Sequence, residues 1–102
     1  MHAVVGRFAS LPLLLALLPL PGCKARVSRA ECDALLGRFA ELVVKEKLPA
    51  ATPEVVQTEQ KREREEAARD DNFKNCTTEL RQDEYRCAMA ATTAEALIRC
   101  LE

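Results

Sequence analysis

Histidine is nearly missing from this chain of 102 residues, and the one present is His2. Beyond that position no Ser-His-Asp triad, Cys-His pair or histidine-ligated metal can be assembled. Glycine is scarce too, at three. Past Gly22 only Gly37 remains, so the backbone-amide cradle of a glycine-rich phosphate loop is excluded. No Cys-x-x-Cys pair exists: Cys32, Cys76, Cys87 and Cys100 are 44, 11 and 13 residues apart. Zinc sites and thioredoxin-type couples need close pairs. Neither sign of charge dominates, with 15 Lys and Arg against 16 Asp and Glu. That is no basic footprint for nucleic acid, and no nucleic-acid partner is expected. Two acid pairs remain, Asp70 with Asp71 and Asp83 with Glu84. Carboxylates can do acid and base work, but these stand at expected helix ends and read as caps. The sequence therefore predicts no catalytic residue, no cofactor, no metal ligand and no enzyme.

What is present begins with an export signal. His2 and Arg7 precede an uncharged, leucine-rich run over 8–20. A short basic segment followed by an apolar core is the pattern of a secretory signal. A membrane-spanning helix needs about 20 apolar residues. This run is shorter, carries Pro12 and Pro19, and soon meets Lys24 and Arg26.

The next residues, Leu20-Pro21-Gly22-Cys23, resemble the lipobox of bacterial lipoproteins, with Pro21 where that family usually has a small side chain. The resemblance spans four positions and implies cleavage before Cys23, a diacylglyceryl thioether on its sulfur and often an acyl chain on its amino group. Two or three chains, at about 0.8 kcal/mol per buried methylene, hold a protein to a bilayer where one does not. The expected boundaries are a signal over 1–22, a lipidated tether over 23–27 and a helical domain over 28–102. Lys24, in place of aspartate, favours the outer membrane by the sorting pattern of some enterobacteria. Removing Arg7 from the 15 basic residues leaves 14 against 16 acids, a charge near minus two.

Ser28-Arg29-Ala30-Glu31 has capping-box spacing and opens a first helix. Cys32, Leu35, Leu36, Phe39, Leu42 and Val43 share its apolar face, and Leu48-Pro49 ends it. Thr52-Pro53-Glu54 starts a second helix with a hydroxyl cap and proline at the first position, expected to run to about 71. Its middle, 59–66, is nearly all charge, with opposite signs four apart at Lys61 and Glu65, Arg62 and Glu66, and Glu65 and Arg69. That pattern predicts a solvated face, with a partner-binding arm as the sharper alternative. Only Val55, Val56, Ala67 and Ala68 offer it core contacts. Phe73 returns an aromatic ring to the core. A short helix over about 82–91 and a last one opened by Thr92-Thr93-Ala94-Glu95, with Leu97, Ile98 and Leu101 inward, complete the chain. Tyr85 in this hairpin reads as a core ring with a surface hydroxyl, beside Arg86.

Five cysteines less Cys23 leave four, an even set that reads as a disulfide framework in an exported chain of this size. Three connectivities are possible. If the last two helices form a hairpin, Cys87 lies near its turn and Cys100 returns to the level of Cys76. The expected bonds are Cys76 with Cys100 and Cys32 with Cys87, each contributing roughly 3 to 4 kcal/mol. The segments Phe73-Lys74-Asn75-Cys76-Thr77, Glu84-Tyr85-Arg86-Cys87-Ala88-Met89-Ala90 and Arg99-Cys100-Leu101 look similar to the C-terminal block of small uncharacterised exported proteins of myxobacteria. The likeness covers about a third of the chain and implies disulfides and export, without a chemistry.

The fold expected is all-α: two longer helices and a short helical hairpin, cross-linked by disulfides. The role expected is a lipid-anchored envelope protein that is structural or binds an envelope partner. The alternative is a carrier of a small ligand or lipid, which would need a concave apolar site lined by Phe39, Val43, Met89 and Leu97. An interaction protein would instead expose an apolar surface patch.

Overall fold

The computed structural model describes residues 26–102. Among them five helices follow in order: α1 Arg29–Lys47, α2 Pro53–Ala68, α3 Cys76–Glu79, α4 Gln82–Ala90 and α5 Ala94–Leu101. The domain is all-α, two longer helices followed by a short hairpin of α4 and α5, as the sequence predicts. The expected signal, Cys23 and Lys24 lie outside the described residues. None of the described helices is long and apolar enough to cross a membrane.

Among the described helices α1 is the central element and touches each of the other four, whereas α2 packs on α1 alone. This explains their contrasting sequences. α1 buries Cys32, Leu35, Ala40, Leu42, Val43 and Val44, a wider arc than one amphipathic stripe supplies. α2 buries Ala67 alone. Val55 stays 45% exposed, and the charged face is solvated with ion pairs at Lys61–Glu65 and Arg62–Glu66. Gly37 lets Arg64 of α2 lie across α1: an added Cβ would stand 2.7 Å from its Nη1.

The start of α1 is a complete capping box. Ser28 Oγ accepts from the Glu31 amide at 3.1 Å, and the Ser28 amide donates to Glu31 Oε1 at 2.9 Å. Gln82 Nε2 adds a donor at 2.9 Å, so the N-termini of α1 and α4 meet at one carboxylate. The Ser28 backbone bond above all, with help from Gln82, holds the Glu31 carboxyl below its ordinary titration range. Stability that depends on this ion is present above the unfolded glutamate range and lost as pH falls through the lowered folded value. A Glu31→Gln variant should lose this acid limb while keeping the rest of the profile. Denaturant midpoints from pH 7 to pH 3 measure it, and parallel profiles for the two proteins would refute it.

The packed structure extends two residues ahead of Ser28. Arg26 forms an antiparallel bridge with Arg81, and Val27 is 2% exposed within the core. Positions 26 and 27, expected as part of a tether, are thus held against the domain.

The cysteine pairing differs from the expected one. Cys32 bonds Cys76, with Cα atoms 6.0 Å apart, and Cys87 bonds Cys100, at 5.7 Å. The reason is α3. It forms a separate turn on α1, and the extended Leu80 and Arg81 reorient the chain before α4 begins. Cys76 therefore faces α1 rather than the hairpin, and Cys87 and Cys100 brace the hairpin internally.

Two helix ends also depart from expectation. α2 stops at Ala68, short of 71, because Asp70 folds a turn: its Oδ1 accepts from the Asn72 amide at 2.8 Å, and its carbonyl accepts from Phe73 and Lys74. α5 is capped by Thr93, whose hydroxyl accepts from the Ala96 amide, rather than by Thr92 with Glu95. Glu46 of α1 supplies the missing carboxylate, accepting from the Ala94 amide at 2.9 Å. About two turns earlier on α1, Arg38 donates to the Ala91 carbonyl at the end of α4. A carboxylate at a helix start and a guanidinium at a helix end each complement the local dipole. The two side chains thereby fix the α4–α5 connection on α1.

Candidate functional site

A hollow of about 210 Å³ lies where α1, α2 and α5 meet the turn after α2. Its floor is apolar: Phe39 from α1, Phe73 from the turn and Ile98 from α5. The turn bonds of Asp70 swing Phe73 inward to 5% exposure, and its ring lies 5.0 Å from that of Phe39 at a 50° tilt. The Cys32–Cys76 bond clamps the chain three residues later. Glu63, Glu66 and Asp70 form one rim. Glu63 and Glu66 stand three residues apart on α2 with Ala67 beside them, which is the helical neighbour spacing, and Asp70 follows in the turn after the helix.

Glu63 is the most enclosed of these acids. Its side chain is 12% exposed, and the two cations nearest it, Lys47 Nζ and Arg62 Nη2, are both at 3.8 Å. Arg62 serves several acids at once. Nη1 donates to Glu66 at 2.9 Å and Nε to Glu59 at 3.1 Å. Its pKa is raised, chiefly by the hydrogen bond and charge of Glu59 and then by Glu66.

The four residues expected to line a carrier pocket are not brought together. Phe39 reaches the hollow, whereas Val43 and Leu97 are buried in packing and Met89 packs beside the core. A hollow of 210 Å³ is also below the 300 to 1,000 Å³ of small-molecule sites. Tyr85 is half-buried against the core and Arg86 is exposed.

The acid pairs make local contacts. Asp71 pairs with Lys74 at 2.8 Å, and Asp83 Oδ1 accepts from the Glu84 amide. Glu84 Oε1 accepts from the Arg81 amide at 2.9 Å. A second hollow of about 290 Å³ is lined by Asp71, Glu79 and Glu84. Among the described residues no three acids, cysteines or histidines are placed to hold a metal ion.

The acid rim is not legible in the charge pattern of α2, which predicts a solvated face. The available signal was Ala67, a small residue flanked by Glu63, Glu66 and Asp70. No family model, curated protein or solved structure matches the chain.

Proposed function

We propose that this chain is a lipid-anchored protein of the cell envelope, held at a membrane through Cys23 and acting by contact with another protein rather than by catalysis. The observation that carries the reading is cysteine parity. Of five cysteines, four are consumed by Cys32–Cys76 and Cys87–Cys100, and the fifth stands at the lipobox-like site. Disulfides persist in oxidising compartments, which supports export.

The junction between anchor and domain favours action at the membrane surface. Val27 is buried and Arg26 bridges to Arg81. Four residue steps separate Cys23 from Val27, a reach of at most about 14 Å. A lipid on Cys23 would hold the N-terminal end of α1 close to the headgroups with little slack. The exposed apolar residues Leu48 and Val55 flank the opposite end of α1. The carrier alternative has less support, because the hollow is small and acid-rimmed.

Substitution of the anchor tests the reading. In a bacterium that processes lipoproteins, the protein is expected to take up labelled palmitate and sediment with membranes, preferentially outer membranes. Cys23→Ser is expected to lose both properties. Equal sedimentation of the two proteins, or no label on either, would sink the proposal.

A further inference from the structure

We propose that the hollow between α1, α2 and α5 docks a basic segment of a partner protein, one that presents arginine or lysine beside an apolar side chain. This deepens the contact reading and does not depend on the lipid. The charge of the rim favours such a segment. Glu59, Glu63 and Glu66 follow one another four and three residues apart, so they form a stripe along one edge of α2, and Asp70 extends it from the turn that follows. Among the described residues, Arg62 and Lys47 are the cations in ion pairs with these acids, two against four. A basic segment complements this excess and is drawn to it at low salt.

Glu63 favours it as well. Its carboxylate is 12% exposed, with both neighbouring cations at 3.8 Å, beyond hydrogen-bond distance. A carboxylate so enclosed gains from a charge-assisted bond of 2.7 to 2.9 Å, which a guanidinium or ammonium ion supplies. The floor of the hollow suits the same occupant. Phe39 offers partly exposed ring surface that attracts cations, with buried Phe73 behind it, and Ile98 offers an aliphatic wall. A volume of 210 Å³ suits one or two inserted side chains.

The test uses the full chain in uncharged detergent micelles and an acetylated peptide amide, Leu-Arg-Phe-Lys-Leu, followed by NMR. Saturable shifts are expected at the Ile98 methyls and the Glu66 and Ala67 amides, weakening as salt is raised. The double variant Glu63→Gln, Glu66→Gln, with unchanged circular dichroism, is expected to bind at least ~tenfold more weakly, which corresponds to about 1.4 kcal/mol. Glu65→Gln, away from the hollow, is expected to bind as the parent does. Three results would each overturn the proposal: shifts spread along the outer face of α2, equal binding of a peptide with glutamine for both bases, or the same shifts from calcium ions alone. A chain found without lipid sinks the anchoring and leaves this result untouched.

Discussion

Replacing Cys32 and Cys76 together by alanine should destabilise the domain by about 4 kcal/mol. The bond closes a span of 44 residues, and the chain-entropy estimate for a loop of that length is about 4 kcal/mol. Cys87–Cys100 closes 13 residues and contributes about 3 kcal/mol on the same basis. A domain of this size has a total stability of roughly 4 to 12 kcal/mol. The Cys32–Cys76 bond is therefore a large share of it, and it joins α1 to the segment that places Phe73. Thermal unfolding followed by circular dichroism should show a midpoint lowered on the order of 20 °C, using 4 to 8 °C per kcal/mol for small domains. A larger loss from the Cys87 and Cys100 double variant would mean that loop length does not govern the two contributions.

Leu97→Ala should cost about 3 kcal/mol. Leu97 is fully buried, on the inner face of α5 in one cluster with Leu35, Leu80 and Ala88. Removing three carbons from such a site loses transfer energy and leaves a cavity, for 2 to 5 kcal/mol in comparable cases. Its burial depends on the connection held by Arg38 and Glu46, so the hairpin should loosen as well. Val55→Ala is the matched control. Val55 is 45% exposed, and surface changes of this kind stay within about 0.5 kcal/mol. Urea midpoints measure both, and equal shifts would show that α5 is not seated on α1 as described.

The elements legible in the sequence are those fixed by contacts three or four residues apart. Ser28 and Glu31 close their box as read, Thr52 and Pro53 start α2, and the chain leaves α1 before Pro49. Where a distant residue takes over, the local signal misleads. Thr92 and Glu95 have the spacing of a box, yet Glu46 of α1 occupies the N-terminus of α5 and the cap moves to Thr93. The cysteine pairing turns on α3, four residues with no periodic signal of their own, whose placement on α1 directs Cys76 to Cys32.

The docking hollow was out of reach for a related reason. Phe39, Glu63, Phe73 and Ile98 come from four parts of the chain, and the packing of the other three segments on α1, which carries Phe39, brings them together. Sequence alone identified the acids of α2 as a solvated face, which describes Lys61, Glu65 and their side of the helix. It did not identify the edge turned toward Phe39. Charge pattern gives the sign of a surface; packing decides which of its acids border an apolar floor.

The most direct test of the account is peptide mapping of the protein extracted from membranes, digested without reduction and weighed by mass spectrometry. The account predicts linked peptides joining Cys32 to Cys76 and Cys87 to Cys100. It also predicts an N-terminal peptide that begins at Cys23 and is heavier by two or three acyl chains. Free thiols at the four domain cysteines, or an unacylated Cys23 within a longer chain, would contradict it.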